Sequence, residues 1–224
     1  MGENNRCAIC CQIIGNESGD LLAQLLNKGN GYMRRVMLET EHFAVFPSIG
    51  PLKIGHVILC PKFHYSSFAR LPEDLEKEYQ AIKAQLRNIL RNNIKEAVHI
   101  FEHGSNAECS RIPCSVEHAH QHFVPTDADV LLTLRDGIEW RNIEPSIASL
   151  NQASGGSEYL FYEAPNGEAI LAVGKRDGFE SQYIRKVFAN ALGKNDQWNW
   201  RIHPSPMDVE ETFELMSSVS TSTD

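Results

Sequence analysis

The sequence predicts an α+β fold in which an antiparallel sheet is flanked by helices. Two segments with strand character, residues 42–46 and 56–60, flank a turn at 48–55 that contains Gly and Pro, as is typical of a hairpin. Further segments with strand character lie at 97–101, 117–124, 158–162 and 169–173. Because these segments do not alternate regularly with helices, an antiparallel arrangement is favoured over a doubly wound parallel sheet.

One helix is clearly indicated at residues 72–93. Apolar side chains recur there at steps of three and four and form one stripe: Leu75, Tyr79, Ile82, Leu86, Ile89 and Leu90. Pro72 and the two acidic residues that follow it suit a helix N-terminus. A second helix is predicted at 179–192, ended by Gly193, and a third at 207–216.

The chain of 224 residues is long enough for one substantial domain with an elaborated tail. We expect a first unit at residues 1–130 and an α/β extension at residues 131–224 that packs on it. The Ser- and Gly-containing segment 151–157 has the composition of a flexible connection. The Ser- and Thr-rich segment 217–224 predicts disorder at the end of the chain.

Charge and composition exclude some classes of function. The net charge of −8 argues against broad coating of nucleic acids, which needs a basic surface, but it leaves room for a local site that binds a small anion. No segment reaches the roughly 18–20 consecutive apolar residues of a membrane span, and the polar N-terminus leads into no signal-type apolar region. A cytoplasmic protein is therefore expected, and its six cysteines are interpreted as thiols or metal ligands rather than disulfides.

Three histidines spaced by two, His118, His120 and His122, form the most informative pattern in the sequence. In a strand, this spacing places the three imidazoles on one face, about 7 Å from one to the next, with Ala119 and Gln121 on the other face. Three imidazoles on one strand face are hard to satisfy as ordinary core residues. They suit either metal ligation or proton and phosphoryl transfer near neutral pH.

Cys7 and Cys10 have the Cys-x-x-Cys spacing that lets two thiolates bind one tetrahedral ion. Redox pairs and buried thiols share this spacing, so the motif alone leaves these alternatives open. Cys11 adjoins the pair, either as a bystander or as a substitute for Cys10. Cys60 lies in an apolar strand and is interpreted as a core residue.

The segment Ser115-Val-Glu-His-Ala-His-Gln-His-Phe-Val-Pro125 resembles the motif of the histidine triad (HIT) superfamily of nucleotide hydrolases and transferases. Two earlier blocks are similar to the same family and stand in the same order: the Cys-x-x-Cys segment, and the block from Phe46 to His64 with its Gly-His and Pro-Lys-x-His elements. The resemblance implies a HIT-like antiparallel sheet of about five strands with flanking helices. The sequence departs from the family pattern at two positions: at Gln121, where the family usually has a hydrophobic residue, and at Cys114, where it often has Gln.

The resemblance implies a mechanism in which His120 attacks the α-phosphorus of a nucleotide and forms a covalent nucleotidyl-histidine. His122 would contact the phosphate oxygens, and Ser115 would lie beside the same phosphate. His103, which precedes a glycine, is the candidate for a second polar contact to the substrate. Hydrolase and transferase share the first step and differ in the acceptor of the second, so the sequence leaves both open.

Some bacterial members of the family bind zinc with a Cys-x-x-Cys element, a later His and the first His of the triad, and the matching positions here are Cys7, Cys10, His64 and His118. The resemblance therefore implies a structural zinc site with two sulfur and two nitrogen ligands and no open position. This site would hold His118 and, through the strand, orient His120.

Residues in the C-terminal part, Ser181–Val187 and Trp198–Arg201, resemble longer bacterial HIT-like proteins and CwfJ-like proteins. Gln182 and Arg185 stand at i and i+3 on the predicted helix, so both can face one site and bind substrate. The alternative is that Arg185 belongs to a solvated helix face. Trp198 and Trp200 are interpreted as packing residues.

Three classes of function therefore stand side by side: a HIT-like enzyme, a nucleotide-binding or regulatory module with little turnover, and a zinc protein whose histidines all bind metal. The intact His120 favours the enzyme over the binding module. The Cys-x-x-Cys element, which recruits only the first histidine of the triad, favours the enzyme over the zinc protein. The resemblance also implies a homodimer, although the C-terminal extension could take the place of the second subunit.

Overall fold

The computed structural model describes residues 7–26, 31–105, 118–134, 137–174 and 178–217. Within these residues, eight strands form one sheet in the order β1-β2-β3-β5-β4-β7-β8-β6. Every neighbouring pair is antiparallel. The strands are β1 (Leu38–Glu39), β2 (Phe43–Pro47), β3 (Val57–Pro61), β4 (Val98–Gly104), β5 (Gln121–Pro125), β6 (Arg141–Ile143), β7 (Tyr159–Glu163) and β8 (Ala169–Val173). The predicted α+β antiparallel fold is confirmed.

The helices in the described residues flank this sheet. They are α1 (Ala8–Ile14), α2 (Leu21–Leu26), α3 (Glu76–Ile94), α4 (Leu131–Leu134), α5 (Ile147–Ser154), α6 (Tyr183–Ala191) and α7 (Pro206–Ser217), with 3₁₀ turns at Phe68–Arg70 and Glu73–Leu75. The helix predicted at 72–93 is α3 together with the 3₁₀ turn before it. None of these helices is both long enough and apolar enough to cross a bilayer.

The two faces of the sheet are covered by different helices because side chains alternate along each strand. On one face, residues such as Val57, Ile100 and Phe123 form a core with the apolar stripe of α3. On the other face, the side chains of β2 and β3 pack under α1 and α2, around Leu22. Further along this second face, the strands β4, β5, β7 and β8 pack under α6, around Phe188.

The strands of residues 131–224 continue the sheet of residues 1–130. β4 pairs with β7, and the register places Phe101 opposite Tyr162 and His103 opposite Leu160. Five strands therefore come from the first part of the chain and three from the second. The second part also supplies α6. This helix covers the same face of the sheet as α1 and α2, but nearer to the opposite edge of the sheet.

The segment 151–157, which the sequence predicts to be a flexible connection, is different in the structure. Its first four residues form the end of α5, and Gly155 ends the helix at φ +56°. The helix is stabilised by its cap, since the Ser146 hydroxyl accepts a hydrogen bond from the Ser149 N–H, and by burial of Ile147 and Leu150. Composition pointed to a loop, but capping and burial outweigh it here.

Candidate active site and metal centre

The three histidines of the motif do not share one strand. β5 begins at Gln121, so only His122 lies in it, and His118 and His120 lie in the segment that precedes it. The expectation of three imidazoles on one strand was therefore wrong, because the paired ladder ends at Gln121. The alternation itself holds, since Gln121 accepts a hydrogen bond from the Tyr79 hydroxyl of α3 at 2.9 Å, on the opposite face.

His118 belongs to a cluster of two thiols and two imidazoles. Its Nδ1 lies 3.4 Å from the Cys10 Sγ and 3.6 Å from the Cys7 Sγ. The Nδ1 of His64 lies 3.3 Å from the Cys10 Sγ. One donor atom from each of these four residues lies within 4.8 Å of all the others, so the cluster could hold a metal ion. The helix α1 and the residues that follow β3 bring these ligands to one place.

The donor set fits a tetrahedral ion. Ligands at about 2.1–2.3 Å from zinc are about 3.4–3.8 Å apart, close to the Cys–His separations here. The other ring nitrogen of His118, Nε2, donates a hydrogen bond to the Pro61 carbonyl at 2.8 Å, which leaves the Nδ1 lone pair for a metal. Cys11 is not part of the cluster, and Cys60 is fully buried in the core, as predicted. Burial, with help from Cys7, raises the pKa of the Cys10 thiol to about 12, and a bound cation would favour the thiolate.

His120 is held in a defined tautomer. Its Nδ1 lies 2.7 Å from the carbonyl oxygen of His118, and because a carbonyl can only accept, Nδ1 carries the hydrogen. The lone pair is then on Nε2. Burial lowers the pKa of His120, and the charges of Arg185 and His103 lower it further against the effect of the His118 hydrogen bond. The imidazole is therefore neutral at neutral pH, which is the state a nucleophile requires.

His122 is also held in one tautomer, by a chain of hydrogen bonds. The Leu52 N–H donates to Nδ1 of His56 at 3.0 Å, so the hydrogen of His56 is on Nε2. That Nε2 donates to Nδ1 of His122 at 2.9 Å, so His122 carries its own hydrogen on Nε2. Burial holds the pKa of both imidazoles well below the usual range, so both are neutral. The His122 ring also stacks on Phe101, with centroids 4.5 Å apart.

Two pockets meet at His120 and His122. The first lies against α1, α2 and the turn after β2, and its lining is mostly apolar: Ala8, Ile9, Gln12, Leu21, Leu22, Pro47, Ser48, Ile49, Ile58, His120, His122, Arg185 and Trp200. The second lies against the start of α6 and contains more polar groups: Phe101, His103, His120, His122, Ser181, Gln182, Tyr183, Ile184, Arg185 and Trp200. Four residues line both pockets, and two of them are His120 and His122. A ligand that spans the pockets would therefore pass both imidazoles.

Arg185 is a buried cation at the junction of these pockets. Only 4% of its surface is exposed, so the alternative of a solvated helix face is wrong. Its Nε donates to the Trp198 carbonyl at 2.8 Å, and its Nη2 donates to the Gly50 carbonyl. No carboxylate of the described residues forms an ion pair with it, and burial lowers its pKa to about 9. A buried guanidinium without an anion favours an anionic ligand.

Gln182 and His103, the other two predicted substrate contacts among the described residues, line the second pocket. Gln182 has a left-handed backbone at φ +58°, an unusual conformation for a residue other than glycine, and its Oε1 is buried without a partner in the described residues. His103 lies beside Glu158, with 2.5 Å between Nε2 and Oε1. Ser115 lies outside the described residues, as does Cys114.

Three contributors to the site were not predicted. His56 stands in the Gly-His element of the sequence, but its bond to His122 joins residues 66 positions apart. Glu158 comes from the second part of the chain and carries no motif. Trp200, interpreted as a packing residue, lines both pockets. The backbone of Trp200 packs directly against Gly50, and this close contact requires a glycine because a Cβ there would lie 2.6 Å from the Trp200 Cα.

Comparison with curated proteins finds distant relatives. CWF19-like protein 1 from Pongo abelii is 28% identical over 170 residues, which cover 73% of this chain and 31% of that protein. Zinc finger CCCH domain-containing protein 59 from Oryza sativa subsp. japonica is 26% identical over 163 residues, which cover 68% of this chain and 26% of that protein. The chain thus spans less than a third of the length of the curated relatives it matches. No protein-family model matches the chain.

Comparison with solved structures finds a member of the HIT family from Bacillus subtilis, with 22% identity and a TM-score of 0.41 over 54% of this chain and 72% of that one. A HIT family protein from Bacillus anthracis has 19% identity and a TM-score of 0.41 over 55% of this chain and 74% of that one. The resemblance that the motifs predict is confirmed: the chain is similar in sequence to CWF19-like proteins, and the solved structures similar to it include HIT family proteins.

Proposed function

We propose that the chain is a nucleotidyl hydrolase or nucleotidyltransferase in which His120 forms a covalent nucleotidyl-histidine. The observation that carries this proposal is the 2.7 Å hydrogen bond from Nδ1 of His120 to the His118 carbonyl. It puts the lone pair of a neutral imidazole on Nε2, at the junction of two pockets. An uncharged nitrogen nucleophile with a fixed tautomer is what attack on phosphorus requires.

The pockets support a nucleotide conjugate as substrate. The first pocket is mostly apolar and suits a nucleoside, while the phosphate would lie at the junction. There, the Nε2–H of His122 would donate to a phosphate oxygen, and Arg185 would balance the negative charge. Ser115, His103 and Gln182 are proposed as further substrate contacts.

The first step forms the bond between Nε2 of His120 and the α-phosphorus, and the bond from phosphorus to the leaving group breaks with its electron pair. In the second step an acceptor oxygen attacks the phosphorus, and the electron pair of the P–N bond returns to His120. Water as acceptor makes the protein a hydrolase, and a phosphate or sugar phosphate makes it a transferase. Both outcomes share the same residues.

We propose further that Cys7, Cys10, His64 and His118 hold a structural zinc ion. The ion would supply no open position and no reactive water, because four protein ligands complete its coordination. Its role would be to fix His118. Since the His118 carbonyl sets the tautomer of His120, the metal centre would support the nucleophile through one residue.

The proposal is tested by incubating the protein with a panel of adenosine and guanosine nucleotides, dinucleoside polyphosphates and phosphoramidates, with and without phosphate. Intact-protein mass spectrometry then looks for a nucleotidyl adduct. We expect an adduct in the wild type and in the control His42→Asn, whose imidazole lines neither pocket, and none in His120→Asn. The zinc content should be the same in all three. Loss of zinc in His120→Asn, or an adduct in it, would contradict the assignment of the nucleophile.

The second candidate is a nucleotide-binding module with little turnover. Arg185 favours it as much as it favours the enzyme, because a buried cation binds a phosphate whether or not chemistry follows. Saturable AMP binding without an adduct or turnover for any member of the panel would support this candidate. The homodimer, the cytoplasmic location and the division of the chain at residue 130 stay predictions from the sequence.

A further inference from the structure

His103 and His120 line the same pocket, the second of the two described above. In the pairing of β4 with β5, Phe101 lies opposite His122, where the ladder between these strands ends. His103 lies two residues beyond Phe101 in β4, so its side chain is on the sheet face of Phe101 and His122. His120 lies two residues before His122, in the segment that precedes β5.

His103 is oriented by a carboxylate from the other part of the chain. The 2.5 Å contact joins its Nε2 to Oε1 of Glu158, and since a carboxylate only accepts, Nε2 carries a hydrogen. Glu158 is itself closely packed, because a Cβ at Gly178 would lie 2.6 Å from its Oε2. Nδ1 of His103 makes no hydrogen bond to another described residue. A part-exposed ion pair contributes little to stability, so stability alone is a weak reason for this arrangement.

His122 is poorly suited to protonate a leaving group. It is neutral, with one hydrogen on Nε2, and donating that hydrogen would leave an imidazolate. Its pKa is held well below the usual range by burial and by His120, His56 and Arg185, so a second proton is strongly disfavoured. Among the described residues that line the second pocket there is no carboxyl group. His103 is the other imidazole in that pocket, and it has a carboxylate partner to balance a positive charge.

We propose that His103 is the general acid for the leaving group, with Glu158 as its positioning residue. This inference rests on the proposed function. As Nε2 of His120 attacks the α-phosphorus, the bond to the leaving atom breaks, and its electron pair takes the proton from Nδ1 of His103. The leaving group departs neutral, and His103 is left neutral with its hydrogen on Nε2. In the second step Nδ1 takes the proton of the attacking water or alcohol, which restores the first state.

This assignment specifies the class of substrate. A general acid accelerates departure when the leaving group is basic, as an amine or an alkoxide is, and contributes little to the departure of a weakly basic group. The second pocket therefore serves nucleotide conjugates joined through a basic nitrogen or oxygen, such as phosphoramidates and alkyl esters of a nucleoside monophosphate. Conjugates joined through a phosphoanhydride would not need His103.

The experiment compares kcat/KM for three AMP derivatives: an alkyl phosphoramidate, an alkyl ester and the 4-nitrophenyl ester, whose leaving group needs no proton. For His103→Gln, whose amide can still donate to Glu158, we expect a loss of at least about 100-fold with a derivative that has a basic leaving group and a change of less than about 3-fold with the nitrophenyl ester. The phosphoramidate and the alkyl ester separate amine from alkoxide leaving groups. Glu158→Gln should lower only the values for basic leaving groups, by about 10-fold.

His42→Gln is the matched control, because His42 also pairs with a carboxylate, Glu78, at 2.7 Å but lines neither pocket. It should leave all three values unchanged. Equal losses for basic leaving groups and for the nitrophenyl ester in His103→Gln would overturn the proposal and leave the nucleophile intact. A wild type that cleaves only the nitrophenyl ester would also overturn it. No turnover of any derivative by the wild type would remove the proposed function itself.

Discussion

The Nε2 atom of His56 donates a hydrogen bond to the Nδ1 atom of His122 at 2.9 Å, and this bond determines where His122 carries its hydrogen. The direction of the bond is set one residue further away, by the Leu52 N–H that donates to His56. A backbone amide, which cannot reverse its role, thus specifies a hydrogen-bond donor at the candidate phosphate site. Both imidazoles are neutral in this arrangement, and each carries one hydrogen, on Nε2.

Removing the donor at position 56 should therefore lower activity without removing the nucleophile. For His56→Met we expect kcat/KM to fall by about 10–100-fold, because His122 can then adopt the other tautomer and present a lone pair to the phosphate. His56→Gln is the control, since its amide can accept from Leu52 and donate to His122, and it should stay within a few-fold of the wild type. If His56→Gln lost as much activity as His56→Met while both remained folded, the tautomer would not be what His56 provides.

Arg185 should distinguish nucleotides from nucleosides. For Arg185→Met we expect the Kd of AMP to rise by about 10–100-fold and that of adenosine to change little, because a charged hydrogen bond to phosphate contributes about 1.5–3 kcal/mol. Arg185→Lys keeps the charge and should retain part of the preference for AMP. Isothermal titration of both ligands against the three proteins measures this. An equal loss for adenosine and AMP in Arg185→Met would mean that the residue only shapes the pocket.

The metal cluster should bind one zinc ion per chain and contribute to stability. Cys10→Ser should lower the zinc content to near zero and reduce Tm, and chelation of the wild type should reduce Tm in the same direction, because ligand binding to the native state stabilises it. Cys11→Ser is the matched control, as Cys11 adjoins Cys10 but is not part of the cluster. Zinc analysis with thermal unfolding checks the prediction. Full zinc occupancy in Cys10→Ser would be incompatible with the ligand set.

Glu102 should make the free energy of unfolding fall as pH rises, which is the opposite of what a carboxyl group with a lowered pKa does. Burial raises its pKa from 4.5 to about 7, against hydrogen bonds from the Phe68 N–H and the Tyr159 hydroxyl. Between these two values the folded protein holds a proton that the unfolded chain has lost, so the free energy of unfolding falls as pH rises. The full effect is about 3 kcal/mol and is complete above about pH 7.

The variant Glu102→Gln cannot ionise, so it should gain about 3 kcal/mol relative to the wild type when the pH is raised from about 4.5 to about 8. Urea unfolding of both proteins across this range measures the difference. Parallel stability curves would show that Glu102 does not titrate in this window.

The sequence predicted those parts of the fold that depend on local pattern. The apolar run at 169–173 is β8 to the residue, and the stripe of α3 gave its position within a few residues. It did not predict α1, which has seven residues and is formed because Ile9, Cys10 and Cys11 are buried. Nor did it predict the two-residue β1, which depends on pairing with β2 rather than on its own composition.

In the candidate site, too, the residues that belong to a sequence motif could be predicted, whereas the contacts that depend on strand pairing could not. The resemblance to a known motif named the four residues of the metal cluster, and the structure brings all four together. The Glu158 partner of His103 could not be predicted, because it lies 55 residues away and depends on the pairing of β4 with β7. The bond between His56 and His122 is likewise a property of strand register, which no single segment contains.

The junction of the two pockets on one sheet face has a consequence for how this protein can change. His120 stands between a wall made by α1 and α2 and a wall made by the start of α6, which come from opposite ends of the chain. Substitutions in either wall can alter the shape of one pocket without moving the Nε2 atom of His120, because its tautomer is set by the backbone carbonyl of His118. If the proposed reaction holds, such a scaffold can change its ligand through one wall at a time while the chemistry at His120 stays the same.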